Sequence, residues 1–305
     1  MEEENVSIDA TTDILHHIGL INSSLDESAA QYEKLGFTLT PLSLPKIVLS
    51  PGQPPATLGA GNRHAIFEHN YLELLGVVDP QRWSAITKAQ RGPFDLDAPL
   101  SRYEGLHVMH FGADHIEQVK ARLDAQGIPA SPIKAFERNV QTANGERTMK
   151  ARTIHFPPGS NPEGLLQIAQ HDTPELVFQT RYMHHRNGAT ALTEIMVVAE
   201  DPATYASKYE RYTGHQGQCI AENYFVIDLG RSKVTIVNPA HLNSIIPGYV
   251  IPALPFLAAF TVKTYSLQSV RQVLSAGNIP FAEQHDSIFV YPQHACGCAI
   301  IFNGK

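Results

Sequence analysis

Four stretches of this chain repeat one order of elements, and a repeated unit restricts the fold to architectures that pair or stack that unit. Each stretch opens on a short apolar strand pattern, continues as an amphipathic helix pattern, meets a glycine, and resumes as two or three strand patterns. In the first, strand periodicity covers 14–20 and helical periodicity 25–35, with Ser24 as cap ahead of Glu27. Gly36 supplies the left-handed stop, a strand restarts at 37–39, and strands at 65–68 and 71–76 complete the unit. The second runs from 106–111 through a helix at 116–126, a stop at Gly127 and a hairpin about Asn144-Gly145, ending at 165–169. The third has a strand at 191–198, a helix at 202–212, a stop at Gly214 and a strand at 233–237. The fourth has 257–262, a helix at 267–276, a stop at Gly277, and strands at 287–291 and 298–302. The spacing also repeats: Leu25 to Gly36 and Ile116 to Gly127 are eleven residues each.

A β-α-β-β-β unit carries a strand face that it cannot bury alone. Two units side by side make one curved sheet with helices outside and a concave inner face. The expected fold class is therefore α+β: four βαβββ modules pairing into two curved half-barrel sheets with helices outside. The first pair is placed at 14–180 and the second at 187–305, after a flexible tail over 1–13. Polar or proline-bearing linkers at 79–105, 171–188 and 238–255 separate the modules.

The chain has 305 residues, 43% of them hydrophobic and 17% charged, with a net charge of −7. That balance argues against nucleic acid or an anionic membrane surface as partner and leaves a small molecule. No run of about 18 apolar residues is available to span a bilayer. The acidic start, Met1-Glu2-Glu3-Glu4, lacks the pattern of a secretion signal. Three cysteines, one necessarily unpaired, suit a reducing cytosol, so the expected location is cytoplasmic. Cys296 and Cys298 are read as small buried hydrophobes. Neither a nucleophile elbow nor a phosphate-cradling glycine loop occurs.

Within this frame Glu73, in Tyr71-Leu72-Glu73-Leu74-Leu75, is out of place on a strand face with Tyr71 and Leu75. A carboxylate in such a run is well explained as the holder of a cation inside a sheet-lined cavity, with the imidazole of His17 beside it. The alternatives are a satisfied core histidine and a half-exposed acid paired with Arg63. Fifteen histidines add to the suspicion of metal chemistry without deciding it. Asn62, Arg63 and His64 follow a glycine-bearing turn, where Arg63 could grip a substrate carboxylate or merely be solvated. Arg152 is either an inward substrate contact or part of a solvated hairpin face.

The segments His16-His17-Ile18, Leu35-Gly36-Phe37-Thr38, 58–63 and 71–80 together resemble the vicinal oxygen chelate superfamily, and more closely its glyoxalase-like branch. The resemblance covers the first module well and the second half by module shape only. It implies one divalent metal (zinc, iron(II), manganese or nickel) held by residues of the first and last strands of paired modules. Carried over, His17 takes the first-strand position and Glu73 the last-strand position. In the second module His107 takes the first-strand position if one residue is inserted, and Val108 by strict counting. The last-strand position falls near Gln167 or Ile168, where the family offers an acid, and His171 is the expected replacement. Aligning the third module places Glu194 opposite His17 as a functional acid. No second ligand accompanies it, so the second half is read as a degenerate copy kept for structure, substrate shaping or homodimerisation.

The implied activity is a metal-dependent lyase or isomerase acting on a small oxygenated metabolite through a chelated enediolate. An extradiol ring-cleaving dioxygenase or a metal-dependent hydrolase is the first alternative. The dioxygenase branch places two histidines and a glutamate in its second pair of modules, which this chain does not match. A non-catalytic binder of small molecules, of the resistance-protein type, is the second.

Overall fold

Strand Ile14–Asn22 (β1) is buried along its whole length, as expected of a strand covered on both faces, and the sheet is built outward from it. A computed structural model describes residues 11–304. Of the expected tail, residues 1–10 lie outside the described residues. Thr12 and Asp13 are anchored, their amides donating to the carbonyls of Thr213 (2.9 Å) and Gly112 (3.0 Å).

In chain order β1 is followed by β2 (Lys46–Ile47), β3 (Ala56–Thr57), β4 (Ala60–Ile66), β5 (Tyr71–Val77), β6 (Gly105–Gly112), β7 (Lys134–Thr142), β8 (Gly145–His155) and β9 (Leu165–His171). Then come β10 (Ala189–Val198), β11 (Gly217–Ala221), β12 (Tyr224–Asp228), β13 (Lys233–Val237), β14 (Phe256–Thr264), β15 (Ala282–Gln284), β16 (Ser287–Val290) and β17 (Ala299–Asn303). The four longer helices, Leu25–Lys34, Ile116–Ala125, Pro202–Thr213 and Leu267–Ala276, each follow the strand that opens a repeat. Ser24, Asp201 and Ser266 cap three of them by accepting from the amides of Glu27, Thr204 and Ser269. At the fourth helix the left-handed residue is Asn278 (φ 50°), one position beyond the glycine stop read from the sequence, because Gly277 stays right-handed.

In each half the opening strands are central and antiparallel: β1 with β6, and β10 with β14. The closing strand of each unit returns parallel to its own opening strand, as β5 on β1, β9 on β6, β13 on β10 and β17 on β14. One half therefore reads β4-β5-β1-β6-β9-β8-β7 and the other β11-β12-β13-β10-β14-β17-β16-β15. They are not separate sheets. A single pair, Leu106 opposite Leu257, joins β6 to β14 into one 15-stranded sheet, and β2 with β3 forms a small ribbon beside it.

The main core lies between the helices and the sheet and draws on all four repeats, from Leu15, Tyr32 and Phe67 to Tyr209, Phe260 and Phe302. The second half's other face is filled by its own chain, with Leu242, Ile246 and Tyr249 packed on Met196, Val237 and Ala259. The corresponding face of the first half is plugged at one end by Trp83, Ile86 and Leu96 against Ile21 and Leu75. At its other end Tyr71, Ile66, Met149, Ala151 and Val177 pack together. Between these two apolar ends lies the polar stretch of interest.

Candidate functional site

Residues opposite one another in a sheet point to the same face. Across the first half one such row runs Tyr71, His17, His110, Gln167, His155 on β5, β1, β6, β9 and β8. Glu73 lies two residues along β5 from Tyr71 and faces His64 of β4, so both join this face. His171 lies on the same face, farther along β9. Alternation would send His16 to the far side of β1. A register shift between Leu15 and His17 makes His16 the extra residue of a bulge, and a bulge re-aims its side chain. The His16 and His17 rings consequently meet, Nδ1 to Nδ1, at 2.7 Å.

The result is a buried group of five imidazoles, one carboxylate and one phenol. His17 stacks on Tyr71 (centroids 4.6 Å, planes 8° apart) and stands 4.1 Å from His110, ring centre to ring centre. His16 lies 4.3 Å from His171. The Glu73 carboxylate accepts from the Asn62 amide (Oε1, 2.6 Å), with His64 Nε2 3.5 Å from Oε1 and His17 Nε2 3.9 Å from Oε2. Burial holds all five imidazoles below their ordinary pKa: His16 and His17 well below, His110 and His171 at about 4, and His64 lowered despite the neighbouring Glu73. For Glu73 burial acts upward, but His64, Asn62 and the charge of Arg138 outweigh it and hold the carboxyl below its usual range. The site thus presents neutral imidazoles around an ionised carboxylate.

Buried polar atoms are normally paired. Here His16 Nε2, His110 Nε2, both nitrogens of His171 and Asn62 Oδ1 have no hydrogen-bond partner. Among the described residues, no three His, Cys, Asp or Glu side chains are arranged so as to hold a metal ion. The donor types nevertheless fit a borderline divalent cation, and the orphaned ring nitrogens are lone-pair or N–H groups in want of a partner.

The structure brings His17, Glu73, His64, Asn62 and His171 together, and separates the other residues read from the sequence. His107 is the extra residue of a second register shift, its ring stacked on Tyr103 (4.1 Å) and its Nε2 2.8 Å from the Tyr103 carbonyl. Arg63 turns outward to the Thr40 carbonyl and to Glu33 (both 2.9 Å). Arg152 pairs with Asp172 (2.9 Å) and Glu117. Glu194 lies in the other half and is engaged by Thr235, by Thr261 (3.1 Å) and by Lys233 (3.4 Å). The register shifts of β10 repeat those of β1, Leu192/Glu194 for Leu15/His17 and Met196/Val197 for Gly19/Leu20. Glu194 and Thr261 therefore stand where His17 and His110 do, without the imidazoles.

Sequence reasoning set His107 ahead of His110, its neighbour of opposite strand parity, read Arg138 as part of a solvated hairpin face, and gave His16 no role of its own. His110 was hidden by a connection to the following helix two residues shorter than that after His17. The visible signal was its place before Gly112. For His16 the only signal was the doubled histidine itself.

Comparison with known proteins bears on the fold. A solved hypothetical protein from Staphylococcus aureus has a TM-score of 0.60 at 13% identity, covering 95% of this chain and 98% of that one. The Mn(II)-bound glyoxalase from Novosphingobium aromaticivorans gives 0.54 at 11% identity, covering 96% and 82%. Homoprotocatechuate 2,3-dioxygenase from Arthrobacter globiformis gives 0.50 at 11%, covering 97% and 80%. At such identities these likenesses speak for the fold, and no curated protein matches the sequence. The fold is that of the vicinal oxygen chelate superfamily. A glyoxalase-like domain family model matches residues 15–213, and the chain belongs to that family.

Proposed function

We propose that the protein is a metal-dependent enzyme of the glyoxalase-like type, performing lyase or isomerase chemistry on a small oxygenated metabolite. The observation that carries this is the gathering of His17, His110, His64 and Glu73 on one buried sheet face, with Nε2 of His110 and ring nitrogens of the adjoining His16 and His171 left unpartnered. His17, Glu73 and a further imidazole, His110 or His64, would hold a divalent cation, which supplies Lewis-acid polarisation of adjacent substrate oxygens. Burial keeps the imidazoles neutral, so they present lone pairs rather than charge. Asn62 occupies Oε1 of Glu73 and fixes the carboxylate plane, leaving Oε2, on the side of His17, as the oxygen that would face the cation. The apolar clusters at either end of the polar stretch, around Trp83 and around Met149, would keep bulk water from the reacting centre.

Ring cleavage is the weaker reading. The positions of the second half equivalent to His17 and His110 hold Glu194 and Thr261, which satisfy one another by hydrogen bonding. We further propose a cytosolic protein with a small-molecule substrate. Among the described residues no helix is long and apolar enough to cross a membrane.

Metal analysis after reconstitution separately with Mn(II), Zn(II), Ni(II) and Fe(II) tests the proposal. One equivalent of metal per chain is expected, lost in Glu73→Ala and in His17→Ala. Equal metal content in wild type and both variants overturns the assignment. Oxygen uptake with catechols then separates ring cleavage from isomerisation.

A further inference from the structure

Among the described residues, Arg138 is a cation with no hydrogen-bond or ion-pair partner at its buried Nε. It lies on β7 opposite Met149 of β8, and the next residues on that face of β8 are Ala151, opposite His171, and Thr153. The pairing rows therefore put Arg138 on the face that carries His17, His110 and Glu73. Curvature of the sheet closes the distance, since Met149 packs against Tyr71 and Ile66 in one cluster. Arg138 acts electrostatically on Glu73, His64, Tyr71 and His171, groups of that one site. Its Nε is buried and has no hydrogen-bond partner. The acids of the same hairpin are otherwise engaged: Glu137 with Lys150 (3.4 Å) and Glu146 with Asn139 (2.8 Å).

A guanidinium with a buried, unfilled N–H on the same sheet face as a polar cluster is a two-donor fork awaiting a planar oxyanion. We propose that Arg138 forms an anion subsite on this sheet face, and that the substrate carries a carboxylate next to the oxygens presented to the His17–Glu73 end. The substrate class is accordingly a small 2-oxo or 2-hydroxy carboxylic acid. This rests on the reading of the histidine cluster as the reacting centre, but the subsite itself requires only Arg138. The walls supplied by Tyr71 and Met149 are apolar, so the remainder of the ligand is a short aliphatic or aromatic group.

The experiment uses the full chain freed of metal with a chelator. It is titrated with pyruvate, lactate, phenylglyoxylate and mandelate, with the amides of the same acids, and with inorganic phosphate. Binding is followed by the thermal midpoint and by the ¹H–¹⁵N resonance of the Arg138 Nε–H. At least one carboxylate is expected to raise the midpoint and shift that resonance while its amide does neither. Arg138→Gln is expected to weaken that binding tenfold or more, and Arg138→Lys by less. If no carboxylate acts, or if Arg138→Gln binds within twofold of wild type, the subsite is refuted. A response to phosphate as strong as to the best carboxylate refutes the substrate class. The wild-type resonance keeps the test decisive should Arg138→Gln fold poorly. Metal uptake measured on the same variants separates the two proposals: unchanged uptake with lost anion binding supports the subsite, and a wild type that binds carboxylates through Arg138 but no metal overturns only the metal reading.

Discussion

At the scale of single residues, the contact between His16 and His17 sets what His17 can offer. Two Nδ1 atoms 2.7 Å apart share one proton, so one ring donates and the other accepts. For His17 to present a lone pair at Nε2 its proton must sit on Nδ1, with His16 accepting. Outer partners that fix a ligand's tautomer typically contribute about 10–100-fold in metal affinity. His16→Phe is therefore expected to weaken divalent-metal binding by about that factor. His16→Asn, whose amide oxygen stands in for Nδ1, is expected to recover most of it. Competitive titration with a chelating indicator measures both, and equal affinities for wild type and His16→Phe would remove His16 from the account.

Titration follows from the same burial. His110 and His171 have folded pKa values of about 4, against about 6.5 unfolded. Below pH 6.5 the unfolded chain binds protons that the folded chain refuses, so stability is fully present above that pH and lost as pH falls toward 4. For His110 alone the loss is on the order of 3 kcal/mol. Urea midpoints of metal-free protein at pH 8, 6.5 and 5 are expected to fall below pH 6.5, and less steeply in His110→Gln. A flat profile would contradict the burial of these rings.

At the scale of elements, the bulge in β1 shows how register outranks alternation. Reading 14–20 as a strand finds the element; a period of two, applied across it, assigns His16 to the wrong face. The helix stops behave more locally. Gly36 (φ +92°) is pressed against its neighbours, an added Cβ falling 2.8 Å from Val273 Cγ1 and 2.9 Å from the Asn187 nitrogen. Gly127 (φ +63°) has open space around the same position. Alanine at 127 is expected to cost about 1 kcal/mol, the left-handed backbone term alone. At 36 the cost is expected to exceed that by about 1–3 kcal/mol because a packed neighbour must move. Equal losses by chemical denaturation would mean that the packing around Gly36 yields freely.

At the scale of the whole molecule, the expected pair of domains is bound together more closely than two half-barrels joined by a linker. The helix Leu25–Lys34 of the first repeat reaches the fourth, with Gln31 donating to the His294 carbonyl (2.6 Å) and Phe37 stacked near Phe302 (6.0 Å). The second repeat meets the third in the same way. Phe156 stacks on Tyr212 at 3.7 Å, Arg122 donates to the carbonyls of Arg211 (2.7 Å) and Tyr212 (2.8 Å), and Lys208 pairs with the buried Glu163. One core shared by all four repeats couples the unfolding of one half to that of the other. Calorimetry of the full chain is expected to show a single transition whose van't Hoff and calorimetric enthalpies agree. Two resolved transitions would restore the picture of independent halves.

Local pattern determined the repeats, three of the four helix stops and the strand places of His17 and Glu73, because hydrophobic periodicity and capping act within a few residues of the chain. Those signals lie in neighbouring side chains and survive whatever the rest of the chain does. Tertiary structure alone decided that His110 rather than His107 joins the site, that His16 turns inward, and that Arg138 reaches it from a distant hairpin. Each of these depends on strand register, a bulge or sheet curvature. Such features arise from how separate segments pair and pack, and no stretch of sequence read by itself encodes them.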